Sequence, residues 1–145
     1  VKRKGIKCLV IDPYNKIRDV NAVSDDVNRY TMDYLSKIEQ FCKKYDVLTF
    51  IVAHPTKMQR DQNGKIQEPN MYNIKGGGEW YDASYHGLLV HRDYEAKNTK
   101  VKVLKVKFQN LGENGAESLF TWEPKSGSFI PETTPLEDDS SLPWE

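Results

Sequence analysis

The sequence predicts an α/β domain with a mostly parallel sheet, crossover helices and a closing antiparallel hairpin. Three observations carry this expectation. A short apolar run, Cys8-Leu9-Val10-Ile11, stops at an acid, Asp12. An apolar stripe of helical period occupies residues 26–45. A second apolar run, VLTFIVA at 47–53, follows at once. Strand, helix and strand in that order make a βαβ unit with a right-handed crossover.

The elements follow in order. Residues 6–12 form the first strand, apolar along its length as a central parallel strand is. Residues 13–24, rich in Asn and Asp with an early Pro, predict a loop. Ser24 or Asp25 can cap the helix over 26–45, whose Val27, Tyr30, Tyr34, Leu35, Ile38, Phe41 and Cys42 share one face. Lys43 and Lys44 suit its last turn. The strand at 47–53 ends at His54-Pro55. Residues 55–78 read as a long polar loop, and loops of that length in a compact domain are functional or disordered. Residues 79–85 suggest a short helix in which Trp80 and Tyr81 pack rather than stack on bases. Residues 86–92 form a third strand. Residues 100–108, KVKVLKVKF, alternate, and 117–123 with 127–130 read as a hairpin around Pro124-Lys125-Ser126-Gly127.

Composition sets bounds. At 145 residues the chain can bury one core. With 38% hydrophobic and 29% charged residues it reads as a soluble domain, and no apolar run approaches the ~20 residues of a membrane span. No signal peptide is evident, and the opening Val fits a chain cut from a longer protein. Cys8 in a predicted core strand and Cys42 on a helix read as inert buried thiols of a reducing compartment. The net charge of zero hides a split. Residues 131–145 hold Glu132, Glu137, Asp138, Asp139 and Glu145 and no base, leaving 16 acids against 21 bases, about +5, over residues 1–130. A mildly basic body permits nucleic-acid binding. The acidic remainder, low in apolar residues, predicts a disordered tail.

Asp12 is the first candidate for chemistry. Ligands of doubly wound sheets bind beyond the carboxyl ends of the strands. An acid there can hold a Mg²⁺ that bridges nucleotide phosphates. Such an ATPase also needs a phosphate-cradling G-x-x-x-x-G-K-[ST] loop, and this sequence has none. Asp12 is then either an ordinary strand-end acid or part of the second half of an ATPase.

Four segments in order narrow the choice: LVIDPYNKI, FIVAHPTK, IKGGGEWYDASYHGLLVHRD and LKVKFQNLGENGAESLFTWEPKSGSF. Together they resemble the C-terminal half of the RecA-like motor domain of replicative hexameric DNA helicases of the DnaB, bacteriophage primase-helicase and Twinkle type. The resemblance spans residues 5–130. It implies a partial RecA-like P-loop NTPase core, lacking the half that cradles phosphate, and hence no ATPase activity in this chain alone. Asp12 matches the Walker B aspartate that organises Mg²⁺, through water, beside ATP or another NTP. His54 stands where the family senses the γ-phosphate. Lys105 and Lys107 match the basic pair that reaches a neighbouring subunit's nucleotide. The second member is arginine in most relatives, and lysine is not its equivalent. Lys100, Lys102, Lys105 and Lys107 also fit a solvated strand face, and Lys100 is read so. The segment after His54 matches the DNA-binding loop, with Lys57, Gln59, Arg60, Asn63, Lys65 and Lys75 as contacts. Gly76 and Gly77 let the backbone take positive φ beside the DNA.

The resemblance implies a six-subunit ring on single-stranded DNA in the cytoplasm of a bacterial or phage-infected cell, with no membrane contact. The acidic tail, with Trp144 near its end, suits docking to a replisome partner. Two other readings stand beside it: a RecA-type recombinase or other P-loop ATPase, and a nucleic-acid-binding domain without catalysis.

Overall fold

Strand β1 (Cys8–Ile11) pairs in parallel with β2 (Leu48–Ile51), Cys8 opposite Leu48 and Ile11 opposite Ile51. The structure is a computed structural model and describes residues 4–17, 27–58, 60, 62 and 67–132. Between the two strands lie a single-turn helix α1 (Tyr14–Ile17), where a loop was expected, and the long helix α2 (Val27–Tyr45). The capping residues expected at 24–25 lie outside the described residues. The apolar stripe of α2 buries Leu35 and half-buries Tyr30 and Tyr34. The helix ends at Asp46, which takes a left-handed φ of 52° while the Val47 N–H donates to the Cys42 carbonyl at 3.2 Å. This is the usual left-handed helix stop, and Asp is one of the few side chains that tolerate it.

Helix α3 (Gly77–Ala83) follows a 3₁₀ turn at Met71–Asn73. Asn70 caps that turn reciprocally: its side chain accepts from the Tyr72 N–H, and the Asn73 side chain accepts from the Asn70 N–H. Gly76 precedes α3 at φ 86° and packs directly on Thr31. A Cβ on Gly77 would run into the Tyr72 carbonyl. Both positions therefore exclude side chains, one by conformation and contact, the other by contact alone.

The chain closes with β3 (His86–Asp93), β4 (Asn98–Val106), β5 (Glu117–Glu123) and β6 (Ser128–Pro131) in one antiparallel sheet, ordered β3-β4-β5-β6. The expected mostly parallel, partial RecA-like core is thus overturned. Among the described residues the parallel sheet has two strands and the antiparallel sheet four. The cause is connection length. A parallel pair needs a crossover of about a dozen residues or more, whereas antiparallel strands join through a tight turn. Between Asp93 and Asn98 there is room only for a turn. Asp93 Oδ1 accepts the Glu95 and Ala96 N–H groups at 2.9 and 3.0 Å, and Lys97 adopts φ 58°. The register shifts between Gly87 and Leu88, which face Lys105 and Val103. Leu104 is the extra residue, and this bulge sends it into the core.

The core gathers Tyr14, Leu35, Met71 and Trp80, flanked by Ile51, Ala53, Ile74 and Leu104. Trp80, 3% exposed, meets the Tyr14 ring edge-on at 4.9 Å and donates its indole N–H to the Lys75 carbonyl at 3.1 Å. That polar tie lets a large aromatic be buried without an orphaned donor. The Tyr34 hydroxyl is buried with no partner among the described residues, and burial pushes its pKa up.

The β1–β2 sheet departs from the fully buried strands expected. Leu9, Ile11, Thr49 and Ile51 turn inward, but Val10 and Leu48 on the other face are 59% and 60% exposed, with Phe50 and Val52 beside them. Parallel sheets are ordinarily covered on both faces, and among the described residues this face is left open. Cys8 lies exposed on it, against the expectation of burial. Cys42 is half-buried and its thiol donates to Thr49 Oγ1 at 3.1 Å. Both thiols are free.

Candidate functional site

The parallel register of β1 and β2 sets the edge where the first two candidates emerge. Beyond the Ile11–Ile51 pair, the Val52 N–H donates to the Ile11 carbonyl at 2.8 Å, and the Tyr14 N–H donates back to the Val52 carbonyl at 2.9 Å. Asp12 sits between these two bonds and His54 follows two residues after Val52. Both side chains are exposed at the carboxyl ends of adjacent parallel strands.

The segment leaving His54 is closed at its base. Pro55 bridges to Ile74, and the Thr56 N–H donates to the Asn73 carbonyl at 2.7 Å. The polypeptide between 56 and 73 is therefore an excursion that returns beside its starting point, bringing Lys75 and Gly76 back toward His54. Lys57, Arg60 and Lys75 are exposed, as a phosphate contact must be. Gln59, Asn63 and Lys65 lie outside the described residues. Gly76 and Gly77 lead into α3, and of the two only Gly76 has positive φ.

Lys105 and Lys107 have distinct surroundings. The Lys105 ammonium, half-buried, donates to the Tyr81 carbonyl and, at 3.5 Å, to that of Asp82, and lies 4.5 Å from the Tyr81 ring centre. It thereby satisfies carbonyls at the negative end of α3. Lys107 is exposed, with its ammonium 4.2 Å from the Tyr85 ring centre. The Tyr85 hydroxyl donates to Glu39 Oε1 at 3.3 Å, and Glu39 pairs with Lys43 at 2.7 Å. The Lys43 hydrogen bond and charge hold the Glu39 carboxyl below its usual range, with smaller contributions from Tyr85 and Lys107. Sequence reasoning missed Tyr85 and Glu39, and read Tyr81 only as packing the short helix. The one signal available was the spacing of four between the two tyrosines, which sets them around the end of α3 under the two lysines.

Lys100 and Lys102 are not the solvated face expected. Lys100 lies 3.6 Å from Glu68 and 3.3 Å from Glu117, and Lys102 lies 3.4 and 3.9 Å from the same two acids. The Glu117 hydrogen bond, with the charges of both acids, raises the Lys100 pKa above its ordinary value.

No three His, Cys, Asp or Glu side chains converge as a metal cage among the described residues. Asp12 is a single exposed carboxylate at a strand end. That donor set fits Mg²⁺, which keeps several waters and takes its remaining oxygens from substrate phosphates. It does not fit a cation that needs a full protein cage.

The four-stranded sheet runs to the start of the acidic segment. Pro131 ends β6, and Glu132 donates its N–H to the Leu119 carbonyl and accepts from Thr121 Oγ1, each at 2.8 Å. The tail beyond it, with Trp144, lies outside the described residues. No described helix is long and apolar enough to cross a membrane.

No family model matches the sequence. Over 134 residues it is 28% identical to the Twinkle homolog protein, chloroplastic/mitochondrial, of Arabidopsis thaliana. The match covers 89% of this chain and 18% of that protein, so the chain spans under a fifth of its relative's length. That relative is chloroplastic/mitochondrial, whereas the sequence resemblance implied a bacterial or phage setting.

Proposed function

We propose that this chain is part of an ATP-dependent replicative DNA helicase of the Twinkle type and contributes one side of its nucleotide site and its DNA-contacting segment. One observation carries the reading. In a chain similar to a Twinkle homolog over 89% of its length, Asp12 and His54 leave adjacent parallel strands at the same carboxyl edge. The exposed apolar face of β1 and β2 supports it, since a larger protein would cover that face.

Asp12 would hold Mg²⁺ through water, and the bound metal would neutralise charge on the phosphates of ATP or another NTP. His54, exposed at the same edge, would read the presence of the γ-phosphate. It would pass that reading to the segment it begins, because Pro55 and Thr56 are tied to Asn73 and Ile74. Lys57, Arg60, Lys65 and Lys75 would contact the backbone of single-stranded DNA, with Gln59 and Asn63 as hydrogen-bond donors. Backbone contacts give the sequence-independent grip a motor requires. Lys107, exposed at the end of β4, would face the nucleotide of the next subunit in a ring of six. Lys105 would keep α3 and β4 together behind it. The chain alone would not hydrolyse ATP, because it lacks a phosphate-cradling loop. The acidic tail would dock a replisome partner.

A second reading is a nucleic-acid-binding domain without catalysis. It is favoured by Lys107, which replaces the family's arginine and rests on Tyr85. The full-length protein separates the two. The helicase reading expects Mg²⁺-dependent ATP hydrolysis stimulated by single-stranded DNA, and strand displacement on a forked duplex. Tight single-strand binding with no hydrolysis would favour the second reading.

A further inference from the structure

Glu68 sits where the excursion after His54 returns to the body of the protein. Just beyond it, Pro69 is buried, Asn70 caps the 3₁₀ turn and Met71 enters the core. Each Glu68 carboxylate oxygen takes a different lysine: Oε2 lies 3.6 Å from Lys100, and Oε1 lies 3.4 Å from Lys102. Both lysines also reach Glu117 Oε2 on β5, at 3.3 and 3.9 Å. Lys102 and Glu117 are register partners, and Lys100 faces Leu119 two pairs further along. Two acids and two bases, all partly shielded from solvent, thus form a closed quartet. Three members belong to the sheet and one, Glu68, to the returning segment. An isolated surface ion pair contributes little, but a network of shared partners is the case in which such pairs matter.

We propose that Glu68 is a positioning residue that clamps the returning limb of the DNA-contacting segment onto β4. The proposal rests on the helicase reading for its functional meaning. β4 is also the strand that leads to Lys105 and Lys107, roughly 10–23 Å further on. A displacement of that lysine pair would then reach the DNA-contacting segment along β4, without passing through His54. The quartet is balanced in charge, so its role is to fix where the limb sits rather than to bind an anion.

The clamp is tested in the full-length protein by limited trypsin digestion, which reads cleavage after Lys57 and Arg60. Glu68→Gln removes one arm of the quartet, and Glu68→Lys sets three bases against one acid. Glu68→Lys with Lys100→Glu, Lys102→Glu and Glu117→Lys inverts every charge and keeps all four opposite-charge contacts. Cleavage is expected to rise roughly two- to fivefold in Glu68→Gln, the range that loss of a surface network allows, and further in Glu68→Lys. It should return toward the parent rate in the fourfold variant. Affinity for single-stranded DNA should follow the same order, while hydrolysis without DNA stays at the parent rate. Parent-like cleavage in both single variants, or a fourfold variant that behaves like Glu68→Lys, would overturn the clamp. A parent protein with no DNA-stimulated hydrolysis would instead remove the helicase reading, and the digestion would still decide the clamp.

Discussion

Replacing Gly76 by Ala adds one methyl group where α3 begins against α2. The new Cβ would stand 2.7 Å from Thr31 Oγ1 and 3.1 Å from Thr31 Cβ. Thr31 has no room to yield. It is 0% exposed, and its hydroxyl donates to the Val27 carbonyl at 2.9 Å. Two costs therefore add. Holding a side-chain residue at φ 86° costs about 1–2 kcal/mol. Forcing a methyl into a filled space costs about 1–3 kcal/mol, for a total of about 2–5 kcal/mol. The two separate in a double-mutant cycle. In a Thr31→Ala background the contact with Oγ1 is gone and the 3.1 Å contact with Cβ stays, so the cost falls toward the conformational cost of about 1–2 kcal/mol. Urea unfolding of the four proteins, compared by midpoint and slope, measures both. Gly76→Ala within about 0.5 kcal/mol of the parent would refute the reasoning. Equal costs in both backgrounds would remove Thr31 from it.

Other outcomes follow from the site. Lys107→Ala in the full-length protein should lower DNA-stimulated hydrolysis strongly, and Lys107→Arg should preserve or raise it. The ceiling is the ~10³–10⁵ that arginine fingers supply elsewhere. Lys105→Ala should instead lower the unfolding midpoint, because Lys105 is bound to the Tyr81 and Asp82 carbonyls, and a silent Lys107→Ala with a hydrolysis-dead Lys105→Ala would reverse the assignment. Replacing Lys57, Arg60 and Lys65 together by Ala should weaken single-strand binding evenly across sequences. It should also flatten the salt dependence by roughly 0.7 for each phosphate charge that is no longer neutralised, read from titrations at several salt concentrations. Unchanged affinity and slope would make the segment a spacer.

What could be read from the sequence was local and periodic. The stripe from Tyr30 to Leu35 and on to Phe41 marks α2, because a 3.6-residue period leaves few alternatives. The acid after Cys8-Leu9-Val10-Ile11 marks the carboxyl end of β1, and His54 the end of β2. The sheet topology was misread because an apolar run does not disclose its neighbour's direction. The short span from Asp93 to Asn98 did disclose it, since it is too short for a crossover. Val103 and Leu104 both being apolar was the trace of the bulge, an irregularity in alternation that signals an extra residue. Thr31 and Glu68 left no trace. A Thr on a helix and a Glu in a polar segment are ordinary in isolation, and only the fold brings them to Gly76 and to Lys100 and Lys102.

The central claim is that Asp12 serves nucleotide hydrolysis in a helicase. Its most direct test is steady-state, DNA-stimulated ATP hydrolysis by the full-length protein carrying Asp12→Ala, measured across a Mg²⁺ titration. Asp12 is exposed beyond the end of β1, so the substitution should leave the fold and the unfolding midpoint unchanged. The account predicts that hydrolysis is abolished at every Mg²⁺ concentration while single-strand binding persists. Hydrolysis within a few-fold of the parent, with the same Mg²⁺ dependence, would contradict it and return Asp12 to the status of an ordinary strand-end acid.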